Sequence, residues 1–262
     1  MSIEPNTFPK VSIITVCFNS ETTIRDTLES VLSQDYPNIE YIIIDGGSTD
    51  KTLVIIKEYK DRIAQIISEK DRGIYDAMNK GIQLATGEIV GMLNSDDMYF
   101  NNSSVTTLIN KLQGAGVDSV FSDLVVVDQK NIKKIIRYYD SSQFTPKKFK
   151  YGLMPAHPTF FVKKYVYDLV GPYSLSYKIA ADYELLIRIL WTNRISYTYQ
   201  NGPLIKMRSG GISTAGLKNS WILNQEIIKA CKDNNIKTNF IFLLAKLPKK
   251  LKELIKYGNK WL

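Results

Sequence analysis

Apolar β-rich runs and helical stripes alternate over the first hundred residues, which leaves few folds open to the chain. Strands that alternate with helices indicate βαβ units, and strands without a polar face indicate a parallel sheet covered on both sides. We therefore predict an α/β fold with a mainly parallel, Rossmann-like sheet flanked by helices. The predicted strands are Val11–Val16, Ile39–Ile44, Ile63–Ile67 and Ile89–Leu93, and the predicted helices are Ile24–Gln34, Thr52–Tyr59 and Tyr75–Ala85.

The rhythm changes after residue 115. We predict a hairpin of two strands, Ser119–Val127 and Lys133–Tyr139, then a helix over Asp182–Trp191 and a strand over Ile195–Tyr199. No Pro/Gly/Ser-rich spacer marks the change, so the two halves are not predicted to be separable. The expected organisation is one domain over residues 1–220, divided into halves 1–115 and 116–220, followed by a helical basic tail over 221–262.

The tail carries most of the surplus charge. Residues 246–262 hold six lysines and one glutamate, so they supply +5 of the formal net charge of +8. Because the rest of the chain is nearly neutral, it lacks the concentrated basic face of a nucleic-acid-binding protein, and no nucleic-acid partner is expected. Leu247, Leu251, Leu254 and Ile255 fall on one helical face among these lysines, which predicts a basic amphipathic helix.

This helix has two interpretations. It is either packed on a partner or solvated, or it attaches to an anionic membrane surface, where each lysine is worth about 1 kcal/mol. The second interpretation is favoured if the acceptor is lipid-linked.

The expected location is cytoplasmic, with possible peripheral attachment at the inner face of the cytoplasmic membrane. Cys17 and Cys231 are far apart and have no metal-ligand spacing, so a reducing cytosol fits them. The N-terminus shows no apolar core of signal-peptide type, and no apolar run approaches the ~20 residues that span a bilayer.

Each of the four predicted front-half strands is followed by a polar cluster. The clusters are CFNSE after the first strand, DGGSTD at 45–50, SEKDRG at 68–73 and NSDD at 94–97. Any one of them has a simpler explanation as a turn or helix cap. Ligands of open α/β sheets, however, bind outside the carboxyl ends of the strands, where all four should meet. Three of the four are acidic, and such a rim needs a cation or hydrogen-bond donors to satisfy it.

The acidic rim indicates a nucleotide diphosphate held through a metal ion. The chain lacks the GxxxxGK[ST] spacing of a Walker A loop and has no GxGxxG after the first strand. Carboxylates do not hold phosphate directly, but one or two of them can hold Mg²⁺ or Mn²⁺ together with substrate phosphates. Other carboxylates suit ribose hydroxyls and an N–H of a base.

Several motifs, in order, resemble the family 2 glycosyltransferases of the GT-A fold. They are V-S-I-I-T-V-x-F-N (11–19), S-V-L-x-Q-x-Y-P-N-I-E (30–40), I-D-G-G-S-T-D-K-T (44–52), E-K-D-R-G-I-Y-D-A-M-N-K-G-I (69–82), A-T-G-E-I (85–89) and L-N-S-D-D (93–97). The resemblance is strong over roughly the first hundred residues. It weakens through HPTFF and ADYELLIRI, to about SGGIS, and does not cover the tail.

The resemblance implies roles for individual residues. The main chain around Thr15 and the carboxylate of Asp45 would hold the base, with Asp71 as a further polar contact beside it. Asp96 would bind ribose. Asp97 would bind the Mn²⁺ or Mg²⁺ ion, with Asp96 as the second choice for the metal.

Asn19 and Asn79, which lie within the matched motifs, are also expected in the nucleotide-sugar site. N-S-D-D departs from the commoner D-x-D-D at Asn94. Met78 stands where many relatives have Arg, so Lys70 or Arg72 would have to replace that cation.

Asp182 is the candidate catalytic base. An acceptor hydroxyl must lose its proton as it attacks, and a carboxylate suits that role. Asp182 precedes a predicted helix, so a simple N-cap is the alternative. The resemblance favours the base, since Ala181–Asp182 stands where relatives carry E-D.

Two further residues have open interpretations. His157, the only histidine, is either a structural residue or a group near the acceptor or the donor phosphates. Arg208 lies in a Gly-rich stretch predicted to be mobile. It either closes over the diphosphate and excludes water or is a solvated loop residue.

The sequence thus predicts an inverting, metal-dependent glycosyltransferase. It would move a sugar from a nucleotide-diphosphate donor, most simply UDP-linked, to a hydroxyl of a glycan or lipid-linked saccharide in bacterial surface-polysaccharide assembly. One alternative is a sugar-nucleotide nucleotidyltransferase, although CFNSETT has neither the Gly nor the Lys that a triphosphate grip needs. The other is a non-catalytic sugar-nucleotide-binding relative, against which Asp45, Asp96, Asp97 and Asp182 all count.

Overall fold

A computed structural model describes residues 8–211 and 216–246 of the chain. Its front half is the predicted succession of strands and helices. These are β1 (Val11–Cys17), α1 (Ile24–Leu32), β2 (Ile39–Asp45), α2 (Thr52–Lys57), β3 (Gln65–Ser68), α3 (Ile74–Leu84) and β4 (Ile89–Met92). The four strands are parallel and lie in the order β3-β2-β1-β4, so their carboxyl ends share one edge, as the sequence predicted.

The back half continues the same sheet. It consists of β5 (Met98–Tyr99), α4 (Ser104–Ala115), β6 (Ser119–Val127), β7 (Ile135–Tyr139), β8 (Phe161–Lys163), α5 (Tyr165–Val170), α6 (Ala181–Ile187), β9 (Tyr197–Arg208), α7 (Gly216–Asp233) and α8 (Phe240–Leu244). The order beyond β4 is β8-β6-β9-β5, and β7 pairs with β6. β8, β5 and β7 run antiparallel to their neighbours, whereas β6 and β9 are parallel.

The back half differs from the prediction in two elements. The helix predicted over Asp182–Trp191 is α-helical only to Ile187 and continues as a π-helical turn over Arg188–Thr192. The strand predicted over Ile195–Tyr199 extends to Arg208, because β6 pairs with it along its whole length. Pairing with a distant strand leaves no local signal in either segment, so the hydrophobic pattern did not predict that the strand continues beyond Tyr199.

The sheet is buried on both faces. Along β1, Ile14 and Val16 pack with α3 and α6 in one core cluster, whereas Val11 and Ile13 pack with α1 and α4 in the other. Successive side chains of a strand point to opposite faces, so a strand covered on both sides is apolar throughout. This explains the uninterrupted apolar runs in the sequence.

The beginning of the predicted tail is packed on the body. Ile227, Ala230 and Cys231 of α7 and Leu243 of α8 belong to the larger core cluster. The predicted amphipathic helix over 247–262 lies outside the described residues. No helix in the described part of the chain combines the length and apolarity needed to cross a bilayer.

Candidate active site

Asp45 lies at the carboxyl end of β2, where several hydrogen-bond donors surround its carboxylate. Its carboxylate is buried and accepts hydrogen bonds from Ser68 Oγ at 2.6 Å and from the Ser48 backbone N–H at 3.1 Å. Asp71 lies next to it, because a Cβ added at Gly46 would stand 2.4 Å from Asp71 Oδ2. The structure therefore brings Asp45 and Asp71 together, and a side chain at position 46 would separate them.

Asn19 joins the loops that follow β1 and β2. Its amide Oδ1 accepts from the Thr49 N–H at 2.9 Å, and its own N–H donates to Ser48 Oγ at 2.8 Å. Its φ of +48° lies in the left-handed region, which asparagine tolerates better than most residues. Asn19 thus shapes the rim around Asp45 by fixing its loops.

Thr15 lies fully buried near the end of β1, in register with Ile43 of β2. Its side chain is buried and its Oγ1 accepts a hydrogen bond from Tyr41 OH at 3.0 Å. The pairing of β1 with β4 ends at Ile14 and Met92, so the last residues of β1 pair in the sheet only with β2. The expected contact of the base with the main chain around Thr15 stays a prediction.

The NSDD cluster forms a tight turn between β4 and β5. The Asp97 N–H donates to the Asn94 carbonyl at 3.0 Å, and Thr27 Oγ1 of α1 donates to the Asp97 carbonyl at 2.7 Å. Ser95 Oγ lies 2.9 Å from Ser20 Oγ of the loop after β1. The turn is therefore held from two sides, and its carboxylates have defined positions.

The Asp97 side chain is buried without a full set of partners. It is 1% exposed, and its Oδ1 has no hydrogen-bond partner among the described residues; the same is true of the buried Asn94 Oδ1. Burial raises the pKa of Asp97 well above its usual 3.8, the neighbouring Asp96 charge raises it further, and Arg208 opposes both effects. Burial also raises the pKa of Asp96, again opposed by Arg208. A buried carboxylate in this state would gain from a cation.

The donor set fits a divalent metal that keeps other ligands. Among residues 8–211 and 216–246, no group of three or more His, Cys, Asp or Glu side chains could enclose an ion. Mg²⁺ and Mn²⁺ need no such cage, because they bind one or two carboxylates together with water and substrate phosphates. Asp97, with Asp96 beside it and the oxygen of Asn94 nearby in the turn, supplies that type of site.

Arg208 is not a loop residue, contrary to the expectation from its Gly-rich neighbours. It ends β9, pairs in register with Val127, and is buried. Its guanidinium donates to the Asp26 carboxylate and, at 3.1 Å, to the Gln129 carbonyl. It also lies close enough to Asp96 and Asp97 to lower the pKa of both. The buried guanidinium of Arg208 therefore lies close to the candidate metal ligands Asp96 and Asp97.

Asp182 lies in the first turn of α6, in a second cluster that contains His157. Burial raises the pKa of Asp182, and the nearby His157 and the Tyr183 N–H, which donates to Asp182 Oδ1 at 2.8 Å, oppose that rise. His157 is buried, with Nε2 2.7 Å from Tyr173 OH. Burial lowers its pKa, and Asp182 counteracts this. A half-buried carboxylate with a raised pKa suits a general base.

Asn79 has partners within the protein, and its expected contact with the nucleotide stays a prediction. Both ends of its amide bind the backbone of Tyr173, at 2.8 and 2.9 Å. Each polar atom of the amide thus has one protein partner, which leaves one N–H and one lone pair for a further bond. The contact joins α3 to the segment that precedes α6.

Sequence reasoning missed three groups near these sites. Asp26, the partner of Arg208, appeared only as part of a helical stripe. Tyr75, whose hydroxyl donates to the Ile179 carbonyl at 2.5 Å, appeared only as part of a predicted helix and a motif. Tyr173, whose ring stacks on that of Tyr75 at 5.7 Å, carried no local signal. Residues so far apart in the chain are brought together only by packing.

Known proteins resemble the chain in sequence and in fold. The model of the family "Glycosyl transferase family 2" matches residues 12–167. A glycosyltransferase of Mycobacterium tuberculosis, described as uncharacterized, is 34% identical over 183 residues, which cover 69% of this chain and 68% of that protein. The PGL/p-HBAD biosynthesis glycosyltransferase of the same species is 27% identical over 227 residues, covering 84% and 83%.

Two solved structures share the fold. S. aureus TarS 1–349 in complex with UDP-GlcNAc superposes with a TM-score of 0.67 at 20% identity, covering 95% of this chain and 73% of that one. The mannosyltransferase PcManGT from Pyrobaculum calidifontis, in complex with GDP-Man and Mn²⁺, gives 0.65 at 18% identity, covering 95% and 71%. The predicted GT-A fold is thereby confirmed.

Proposed function

The chain belongs to glycosyl transferase family 2, and from this premise we propose that it moves a sugar from a nucleotide-diphosphate donor to an acceptor hydroxyl with inversion. The observation that carries the proposal is the buried Asp97 carboxylate, whose Oδ1 has no partner in the described chain although Asp96 and Arg208 stand beside it. A carboxylate in that state, at the edge where Asp45 and Asp71 also lie, suits a metal-held diphosphate rather than a structural turn.

In the proposed donor site, each group meets a different part of the nucleotide. Asp45 accepts the N–H of the base, Asp96 accepts a ribose hydroxyl, and Arg208 donates to a phosphate oxygen. Asp97, with Asp96 as the second choice, would hold Mn²⁺ or Mg²⁺. When bound there, such an ion would supply positive charge to stabilise the departing diphosphate without a proton transfer.

The proposed reaction is a single displacement. The acceptor oxygen forms a bond to the anomeric carbon as the bond to the diphosphate oxygen breaks, and the electron pair of that bond leaves with the diphosphate. The acceptor proton passes to Asp182. One displacement at one carbon inverts its configuration, so no covalent sugar–enzyme intermediate is involved.

The donor is proposed to be a UDP-sugar. TarS, the structural relative described above, was solved with UDP-GlcNAc, whereas PcManGT was solved with GDP-Man, so GDP is the alternative. The acceptor is proposed to be a glycan or lipid-linked saccharide.

Peripheral attachment at the inner face of the cytoplasmic membrane is also proposed. Four apolar residues of α7 and α8 are exposed and are here called the α7–α8 patch: Trp221, Phe240, Ile241 and Leu244. Trp221 is 56% exposed, Ile241 is 77% exposed, and the ring of Trp221 stacks on Phe240 at 5.1 Å. Aromatic side chains with nearby lysines suit the interface of an anionic bilayer, and the lysine-rich residues 247–262 follow directly in the chain.

Calorimetric titration of UDP, GDP and dTDP tests the donor site. Each nucleotide is added with Mn²⁺ and with EDTA, to the wild type and to Asp97→Ala. One nucleotide should bind tightly, and both EDTA and the substitution should weaken it. If none of the three binds to a folded sample, the catalytic proposal fails and the non-catalytic alternative takes its place.

A further inference from the structure

Helix α7 binds the segment that leads into α6. The Glu226 carboxylate accepts three consecutive backbone N–H bonds, from Lys178 at 2.7 Å, Ile179 at 2.9 Å and Ala180 at 2.9 Å. Lys178 and Ile179 precede α6 and Ala180 is its N-cap, so none of the three N–H groups has a partner within that helix. An ionised carboxylate that accepts from all three forms charge-assisted bonds, which are shorter and stronger than neutral ones.

Neighbouring residues on the same face of α7 hold the residue before this segment. Tyr177 OH donates to Asp233 Oδ2 at 2.9 Å, and Lys229 Nζ lies 4.1 Å from the centre of the Tyr177 ring. Positions 226, 229 and 233 project from one side of a helix because they are three and seven residues apart. One face of α7 therefore makes all these contacts with residues 177–180.

The segment over residues 178–180 leads directly into the helical turn that contains Asp182. The Ala180 carbonyl accepts the first helical bond of α6 from the Glu184 N–H at 3.0 Å, and Asp182 lies in the turn so formed. Tyr75 OH of α3 donates to the Ile179 carbonyl. The backbone just before Asp182 is thus held by Glu226 through its N–H groups and by Tyr75 through a carbonyl.

We infer that Glu226 is a positioning residue, which sets Asp182 against the acceptor by holding the backbone of residues 178–180. The inference rests on the proposed role of Asp182 as the base. Glu226 lies outside residues 12–167, so a function is assigned here to a helix beyond the matched family region. An error of about 1 Å in the position of a reacting group can cost about a hundredfold in rate.

The single histidine offers a substrate-free measurement of this arrangement. His157 is near enough to Asp182 for that charge to raise its pKa against the effect of burial. A pH titration of ¹⁵N-histidine NMR signals therefore reports where the Asp182 carboxylate lies. The variants are Glu226→Gln, Asp182→Asn and, as a matched control, Gln225→Ala at an exposed position one residue away on α7.

The variants should differ in the pKa of His157. Asp182→Asn lowers the pKa of His157, Glu226→Gln lowers it in the same direction by a smaller amount, and Gln225→Ala leaves it at the wild-type value. If Glu226→Gln equals the wild type while Asp182→Asn lowers the pKa, the positioning role is overturned but the base proposal survives. If Asp182→Asn changes nothing, Asp182 does not lie beside His157 and the positioning inference also falls.

Two additions separate positioning from simple folding. Glu226→Asp keeps the charge but withdraws it by one methylene. It should shift the pKa of His157 less than Glu226→Gln does, and it replaces that variant if Glu226→Gln does not fold. A folded Glu226→Asp with a wild-type His157 titration would then overturn the inference.

The second addition is UDP binding with Mn²⁺, which should be the same in Glu226→Gln as in the wild type because the donor groups lie on other elements. A parallel loss of UDP affinity in Glu226→Gln would show a general structural role and overturn the inference. Absence of UDP binding in the wild type would count against the UDP donor site, a failure that the histidine titration does not share.

Discussion

Asn79 and Tyr173 are joined by a pair of hydrogen bonds between one side-chain amide and one backbone unit. Nδ2 of Asn79 donates to the Tyr173 carbonyl, and Oδ1 accepts from the Tyr173 N–H. The hydroxyl of the same tyrosine binds His157. Tyr173 is therefore held at both ends, and α3 of the donor half is tied to the cluster around Asp182.

Asn79→Ala should lower stability and leave nucleotide affinity unchanged. It removes both bonds and leaves a backbone N–H and a carbonyl without partners, at a cost of about 1–3 kcal/mol. Thermal unfolding and UDP titration measure the two effects. A weaker affinity at unchanged stability would instead support the contact of Asn79 with the nucleotide. Gln83→Ala, a substitution on the same helix, is the control.

Asp97→Asn should raise stability at pH 7 in the absence of metal. The folded pKa of Asp97 lies above 3.8, so the folded state favours the neutral acid and loses stability as the pH rises through that folded value. A neutral amide avoids this cost, and each 1 kcal/mol raises Tm by about 2–4 °C in a protein of this size. The gain should shrink as the pH falls toward 3.8.

Mn²⁺ should reverse the order of the Tm values of the wild type and Asp97→Asn. The ion should raise the Tm of the wild type and should not raise that of Asp97→Asn, because the substitution removes the proposed ligand. An equal effect of Mn²⁺ on both proteins would place the metal elsewhere.

Asp182→Asn should lower sugar transfer by about a hundredfold to ten-thousandfold, the usual contribution of a general base. UDP affinity should be retained, because the base does not touch the donor. In the wild type, activity should fall with decreasing pH along a limb centred above 3.8, since the folded pKa of Asp182 is raised and the base must be ionised. Full transfer by a folded Asp182→Asn protein would remove this residue from the mechanism.

Arg208→Ala should weaken UDP binding by about tenfold to a hundredfold, which corresponds to the loss of a charged hydrogen bond of about 1.5–3 kcal/mol. Asp26→Asn is the matched control, because it removes the partner of Arg208 and leaves the cation in place. UDP affinity in Asp26→Asn should stay equal or increase. Equal weakening in both variants would mean that the ion pair only supports the fold.

Substitution of Trp221 and Phe240 by serine should weaken binding to vesicles that contain phosphatidylglycerol. The pair lies on the surface, so its removal should leave Tm and UDP affinity near the wild-type values. Sedimentation with anionic and with neutral vesicles gives the comparison. Unchanged binding to anionic vesicles would contradict docking through the α7–α8 patch.

The sequence by itself determined the parallel half of the fold and the edge at which the proposed donor site lies. The reason is that strand-length apolar runs and helical stripes are properties of neighbouring residues, and parallel strands bring their polar carboxyl ends to one edge. The sequence therefore predicts that Asp45, Asp71, Asp96 and Asp97 lie along that edge.

Tertiary structure decided what each polar side chain binds. Arg208 and Asp26 are 182 positions apart, and Glu226 reaches residues 46–48 positions away. No periodicity encodes such pairs, because they depend on which surfaces the packed helices and strands bring together. The same limit explains why Arg208 was expected in a loop. A residue type shows what a side chain can bind, and packing selects its partner.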